Sequence, residues 1–279
     1  MTDSPSRPEY ARAKRSLGQN FLVDTNMARR IVASAGPFDG ADAPAVLEIG
    51  PGHGALTGLL LEAGAERVMV LEKDRELARA LKARLPRVGV IMGDGLTFGW
   101  EGLSGLPGLR LIGNLPYNVA SPMLWEIVSR ARGWSRAVFM VQYEVGRRIV
   151  ARPGCGEYGA LSVWLQAFST PRLLFKVPPH VFRPQPKIDS AVLEFVPRPP
   201  EEWPASPKSL ANILSLCFQK RRKQLKSILK KYFDDALASD FEARGISPQA
   251  RPEELATHQF VWLGERIFSH FLLDLVEKI

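Results

Sequence analysis

Through the first two-thirds of the chain, short unbroken apolar runs alternate with stretches of helical periodicity. Residues 45–50 (AVLEIG), 68–72 (VMVLE), 88–92 (VGVIM), 109–113 (LRLIG) and 137–141 (AVFMV) have the composition of strands. Each run is continuous rather than alternating, as expected of strands covered on both faces of a parallel sheet. Between them, 56–63, 75–85 and 123–130 place apolar residues at helical spacing. This alternation predicts βαβ units and an α/β, doubly wound, Rossmann-like sheet. Residues 172–177 and 190–196 look like two further strands, forming an antiparallel edge. Five prolines between 197 and 207 exclude a helix or central strand there, so 198–208 is expected to be a linker. Beyond it, 209–233, 236–244 and 259–277 are helical by pattern. The predicted division is a domain over 1–197 and a smaller all-helical domain over 209–279.

With 279 residues, 46% of them apolar, the chain can bury a core in each of two domains. A disordered composition is excluded by 24% charged residues together with 14 Phe and 6 Trp. Cys155 and Cys217 have no CxxC spacing, which argues against a disulfide framework or Cys-rich zinc module and fits a reducing compartment. His53, His180, His258 and His270 are scattered, so no metal site is expected. No apolar run approaches the roughly 18–20 residues of a membrane span. Residues 1–19 show no apolar segment of a secretory signal, and a soluble, cytoplasmic protein is the expectation.

Charge sharpens this picture. The 37 basic and 29 acidic residues give a net charge of +8. Residues 201–279 hold 12 basic and 11 acidic side chains, yet they contain the densest basic run. Lys220, Arg221, Arg222, Lys223, Lys226, Lys230 and Lys231 place seven positives within twelve residues and no acid among them. A polyanionic partner such as nucleic acid accounts for the run, as does a solvated helix face. Arg147 and Arg148 form a second basic group, as do Arg12, Lys14 and Arg15.

Glu48-Ile49-Gly50-Pro51-Gly52-His53-Gly54-Ala55 follows the first strand and precedes a helix. Glycines permit a sharp turn and direct approach of a ligand to backbone, while the helix start offers unpaired N–H groups. Glu72 ends the second strand, 22 residues after Gly50, where a carboxylate can accept both hydroxyls of an adenosine ribose. Asp94, in Gly93-Asp94-Gly95, closes the third strand. Ligands of open α/β sheets lie beyond these strand ends. Nucleotide-type binding follows, and either NAD or S-adenosylmethionine satisfies the pattern. His53 is read as a loop residue.

Asn114-Leu115-Pro116-Tyr117 follows the fourth strand at the same sheet edge. Asn offers an amide oxygen, Pro stiffens the turn and Tyr supplies a flat face. Such a group can hold an exocyclic amine by its hydrogens and stack the attached ring. Adenine N6 is a poor nucleophile because its lone pair is delocalised. Acceptors on both N–H bonds, from the Asn114 side chain and the Leu115 carbonyl, favour a more tetrahedral nitrogen. Stacking on Tyr117 would hold the base in line with an activated methyl, and no strong general base is needed, since the methylated ammonium product is itself acidic.

At this point the chain resembles the ribosomal RNA adenine dimethyltransferases. The resemblance runs from about residue 16 to 229. It is carried by LGQNFL (17–22), EIGPGHGALT (48–57), LEKD (71–74), Gly93-Asp94, GNLPY (113–117), YGALSV (158–163), VPPHVFRPQPKIDSAV (177–192) and FQKRRKQL (218–225). It implies an S-adenosylmethionine-dependent methyltransferase domain over 1–197, with an N-terminal flap and helix over 1–40, and an rRNA-binding helical domain over 209–279. The implied reaction places two methyls on N6 of adjacent adenines near the 3′ end of small-subunit (16S) rRNA, leaving S-adenosylhomocysteine, with a role in subunit biogenesis.

By motif, the resemblance implies that Asn20 and Leu22 cover the cofactor, that Gly50 and Gly52 approach its methionine end, and that Glu72 and Asp94 hold its ribose and adenine. Asn114 then bridges cofactor and target base, Tyr117 stacks on that base, and Phe182 closes on it as a second aromatic. From the charge distribution, Lys220, Arg221, Arg222, Lys223, Lys226, Arg147 and Arg148 are the expected RNA contacts, with 220–231 a helix tracking phosphates. A cytoplasmic monomer acting on the small subunit, without metal or membrane, is expected. Leu17, Gly95, Tyr143 and Ala160 depart from the family's common residues, the last two at positions that bear on RNA contacts. The alternatives are a large-subunit rRNA adenine methyltransferase, a non-enzymatic assembly factor and, from the glycine loop alone, an NAD-dependent dehydrogenase.

Overall fold

The computed structural model of the protein describes residues 18–38, 43–106 and 108–268. Arg12, Lys14, Arg15, Leu17, His270, the flap before residue 18 and the expected helix after residue 268 lie outside the described residues. The chain forms two compact units. The first holds the described residues through Met123 together with 131–143 and 174–194, and the second holds 124–130, 144–173 and the described residues from 195 on.

In the first unit, β1 (Phe21–Leu22) precedes α1 (Thr25–Ala35). Asp24 caps α1 by accepting the Met27 N–H at 2.7 Å, satisfying one of the donors a helix start leaves unpaired. β2 (Val46–Ile49), α2 (Ala55–Glu62), β3 (Val68–Glu72), α3 (Arg75–Arg84), β4 (Gly89–Met92) and β5 (Leu109–Asn114) then alternate, followed by α4 (Ala120–Arg130), whose residues after Met123 belong to the second unit, and by β6 (Trp134–Gln142). β2 pairs in parallel with both β3 and β5, β3 with β4, and β5 with β6. Ile49 lies level with Leu71 and with Gly113, and Glu72 with Met92. The C-terminal ends of four strands are therefore aligned, and the loops that follow them share one edge.

β4 differs from the sequence pattern. It was expected to be covered on both faces, yet Gly89 and Met92 are exposed. The sheet order, β4-β3-β2-β5-β6 and then two later strands, puts β4 at an end, where no neighbour covers its outer side. Val46, Leu47, Val70, Leu111, Ile112 and Val138 fill the interior with no exposure at all.

The later chain contains α5 (Tyr143–Ile149), α6 (Ala160–Phe168), β7 (Ser169–Val177), β8 (Phe182–Arg183) and β9 (Ser190–Pro197). β9 and β7 complete the seven-stranded sheet, and β8 pairs antiparallel with β1.

In the second unit, α7 (Pro207–Phe218), α8 (Leu225–Ile228), α9 (Asp235–Ala243) and α10 (Thr257–Phe268) accompany α5 and α6. Gly264 permits close packing of α10 on α7, since a Cβ there would lie 2.8 Å from the Ser209 carbonyl oxygen. Two expectations change here. The proline-rich stretch is tied down: Arg198 donates from Nε to the Gln166 carbonyl at 2.8 Å, and Trp203 donates its indole N–H to the Arg198 carbonyl at 2.8 Å. The helix expected over 209–233 is broken between Phe218 and Leu225. Leu225 and Lys226 donate their backbone N–H groups to the carbonyls of Ala250 and Pro248, at 2.8 and 2.9 Å, instead of to the preceding helical turn. The basic run is accordingly a set of turns and one short helix, not a continuous phosphate-tracking helix.

Candidate active site

The aligned strand ends of the first unit open into a cleft lined by the segments 18–22, 48–53, 55–56, 71–73, 93–96 and 114–119, with Met123 at its side. Its floor is the turn after β2. Gly50, Gly52 and Gly54 all take positive φ, at 65°, 55° and 72°, a conformation an L side chain rarely adopts. At Gly52 a Cβ would also lie 2.8 Å from the Phe21 ring. At Gly50 the nearest atom to an added Cβ is the Asn114 carbonyl oxygen, 3.9 Å away, so the space beside this backbone is open.

Glu72, at the end of β3, accepts the Gly52 N–H at 3.3 Å and the Asp74 N–H at 2.8 Å. These donors orient the carboxylate, whose remaining lone pairs suit a vicinal diol. Burial pushes its pKa up, against the pull of the backbone N–H groups. Below the turn, Glu48 is buried and accepts the Thr57 hydroxyl at 2.5 Å. Burial pushes Glu48 up to about 8, with the Thr57 bond working in the other direction and the Glu72 charge adding to the rise.

Asp94 accepts the Leu96 N–H at 3.0 Å on one oxygen and pairs with Lys73 Nζ at 2.7 Å on the other. The Lys73 hydrogen bond holds the Asp94 carboxyl below its ordinary range. The turn is anchored by the buried Trp100, whose indole N–H donates to the Gly95 carbonyl at 3.0 Å. Gly95 is accommodated by Met123, because an added Cβ would meet the Met123 methyl at 2.9 Å.

The Asn114–Tyr117 segment is held at three points. Leu115 donates its N–H to the Met140 carbonyl of β6 at 3.1 Å. Asn114 donates its side-chain N–H to the Asn20 carbonyl at 2.8 Å, which assigns the amide nitrogen to that partner and leaves the amide oxygen as the acceptor. Tyr117 shares a 2.5 Å hydrogen bond with the buried Ser190 Oγ, and burial raises the phenol's pKa. The segment 18–22 is in turn fixed by pairing of Phe21 with Arg183 and Leu22 with Phe182, and by the Phe21 and His53 rings, 4.1 Å apart. Asn20, Leu22, Gly50, Gly52, Glu72, Asp94, Asn114, Leu115, Pro116 and Tyr117 thus line one cleft.

Phe182 is a correction. It was expected to close on a target base, but its side chain has 0% exposure and belongs to the hydrophobic core with Ile31, Val181 and Val192. The β1–β8 pairing turns this residue inward, and it is not among the lining residues.

The expected RNA-contacting residues divide in the second unit. Lys220, Arg222, Lys223 and Lys226 are exposed. Arg221 is half-buried, donates to the Gly156 carbonyl at 2.7 Å and lies 3.6 Å from the Glu253 carboxylate. Arg147 pairs with Glu157 at 2.5 Å, and Arg148 pairs with Glu144.

Sequence reasoning passed over Lys73, Phe21 and Ser190 as parts of the site. Lys73 and Ser190 stand inside runs singled out above, but a partner 73 residues away, as Ser190 is for Tyr117, leaves no local signal. Among the described residues no group of three His, Cys, Asp or Glu could hold a metal ion, and no helix is long and apolar enough to cross a membrane.

Comparison with known proteins agrees with this geometry. The ribosomal RNA adenine dimethylase family model matches residues 10–267. Ribosomal RNA small subunit methyltransferase A of Nitratidesulfovibrio vulgaris strain Hildenborough is 51% identical over 262 residues, covering 92% of this chain and 97% of that protein. A dimethyladenosine transferase from Plasmodium falciparum has a similar fold, with a TM-score of 0.71 at 22% identity over 88% of this chain and 97% of that one. The 23S rRNA methyltransferase ErmE superposes with a TM-score of 0.65 at 25% identity, over 89% of this chain and 99% of that one.

Proposed function

Because the chain belongs to the ribosomal RNA adenine dimethylase family, we propose that the cleft of its first unit holds a methyl donor and an adenine of small-subunit rRNA side by side. The protein is an S-adenosylmethionine-dependent rRNA adenine N6,N6-dimethyltransferase. The cleft fits that cofactor on its own chemistry: a glycine turn with open space beside Gly50, an oriented carboxylate at Glu72 for ribose hydroxyls, and Asp94 for an exocyclic amine. When bound, S-adenosylmethionine supplies an activated methyl group on a sulfonium.

The chain's own residues do the rest. Asn20 and Leu22 cover the cofactor site, and Gly50 and Gly52 let its methionine end lie against backbone. Asn114 is the residue on which the reading turns. Its N–H is committed to the Asn20 carbonyl, so its oxygen can accept one N6–H of adenine. The Leu115 carbonyl accepts the other, Pro116 stiffens the turn, and Tyr117, fixed by Ser190, stacks on the ring. Two acceptors pull the nitrogen toward tetrahedral geometry and aim its lone pair at the methyl. The proton of the methylated ammonium leaves to solvent without a dedicated base.

In the second unit, Lys220, Arg222, Lys223 and Lys226 contact rRNA phosphates, while Arg221 holds the 154–157 loop. The acceptors are two adjacent adenines near the 3′ end of 16S rRNA, and the enzyme works as a cytoplasmic monomer that contributes to small-subunit maturation. Replacement of Asn114 tests the pocket: Asn114→Ala abolishes methyl transfer while largely sparing cofactor affinity measured by calorimetry. Turnover at the wild-type rate in that variant contradicts the assignment.

A further inference from the structure

Ile188 is an apolar residue left 45% exposed in the first unit, on the segment that leads into β9. Single exposed aliphatic residues are ordinary on protein surfaces. This one differs in how firmly it is held and where. The next residue, Asp189, accepts the Tyr143 N–H on its carbonyl at 2.9 Å and pairs through its carboxylate with Lys176 at 2.7 Å. The residue after that, Ser190, is buried and bonded to the Tyr117 hydroxyl at 2.5 Å. Chain geometry places the Ile188 Cα within about 7 Å of the Ser190 Cα. Pro184 and Pro186 restrict the approach from the other side, and Arg183 and Lys187 are exposed along the same segment.

An exposed, β-branched side chain thus stands on fixed backbone next to the residue that anchors the stacking tyrosine, with exposed cations in the same segment. A polyanion carrying flat apolar faces matches that combination. Enzymes acting on a stacked base must withdraw it, and apolar side chains inserted at a base step are a recurrent means of holding the gap open. A β-branched side chain on held backbone has little freedom to lose on contact, so the gain from covering it is retained.

We infer that Ile188 is a wedge residue that packs against the rRNA base neighbouring the acceptor adenine and holds the stack open while that adenine occupies the cleft. The inference rests on the adenine reading of the cleft and adds a nucleobase contact outside it. Its role is in the step that presents the base, so its loss acts on turnover more than on subunit affinity.

The test uses the full-length protein, S-adenosylmethionine and purified unmethylated small ribosomal subunits. Ile188→Ser lowers kcat on subunits at least tenfold, with KM, cofactor Kd and Tm close to wild type, because Ile188 is 45% exposed and is not among the buried core residues. Ile188→Leu, which keeps an apolar wedge, stays within threefold of wild type. Equal kcat for wild type and Ile188→Ser overturns the wedge while leaving the cleft reading intact. So does a loss confined to KM, which would make Ile188 an affinity contact. No turnover by the wild-type enzyme on the same subunits overturns the adenine reading itself and the wedge with it.

Discussion

Two side chains in the cleft carry predictions that separate position from chemistry. Tyr117 is anchored by its hydroxyl to Ser190, and in the proposed reading its ring stacks on the acceptor base. Stacking of a base on an aromatic ring contributes roughly 1–3 kcal/mol, so Tyr117→Ala is expected to slow methyl transfer by about 5- to 150-fold. Tyr117→Phe keeps the ring and removes a hydrogen bond that contributes about 1 kcal/mol, so its main effect falls on Tm and its turnover stays within severalfold of wild type. Steady-state kinetics beside thermal melts distinguish the two variants. Glu48 supplies a different test. Its carboxyl ordinarily titrates near 4.5 and is pushed up to about 8 by burial. Between those values the folded chain holds a proton that the unfolded chain has lost, so stability falls as pH rises through that window. Its contribution is full below about 4.5 and gone above about 8. Wild-type Tm should therefore decline from pH 5 to 9, and Glu48→Gln, which cannot ionise, should flatten the decline. Parallel curves for the two proteins contradict a buried neutral Glu48.

The glycine turn is the element whose shape most directly makes a binding site. Gly52 combines a φ of 55° with a Phe21 ring 2.8 Å from where a Cβ would sit. Gly52→Ala should weaken cofactor binding at least tenfold by calorimetry while the rest of the sheet remains folded. This turn was legible in the sequence because glycine spacing after an apolar run is a local pattern, as are the ends of β2, β3 and β5. What escaped the sequence depends on distant partners. Phe182 sits in a run full of site residues, and only the pairing of β8 with β1 shows that it faces the core. The break after α7 is equally non-local, since the backbone donors of Leu225 and Lys226 go to Ala250 and Pro248 respectively. β4 has the composition of a buried strand, but composition does not specify its place at the end of the sheet. The redrawn basic run yields a prediction of its own. Removing phosphate contacts lowers the dependence of log affinity on log salt by about 0.7–0.9 per contact. Gln at Lys220, Arg222 and Lys223 should flatten the salt slope of rRNA binding, whereas Arg221→Gln should preserve the slope and lower Tm, because Arg221 is spent on Gly156 and Glu253.

At the scale of the molecule, the net charge of +8 resolves into separate duties. Some cations close ion pairs, as Arg147 and Lys176 do with Glu157 and Asp189. Others, such as Lys220, Arg222 and Lys223, stand exposed in the second unit. The first unit contains every residue that we propose holds the cofactor and the acceptor base, and in that reading the basic turns of the second unit serve affinity. A chain built this way needs a structured ribosomal substrate and a methyl donor. The most direct measurement supplies the enzyme with labelled S-adenosylmethionine and with separated, unmethylated ribosomal subunits, then digests the RNA and identifies the labelled nucleosides. N6,N6-dimethyladenosine in small-subunit rRNA, at two adjacent positions near its 3′ end, is the predicted result. Label found only in large-subunit rRNA, or on a nucleoside other than adenosine, contradicts the account.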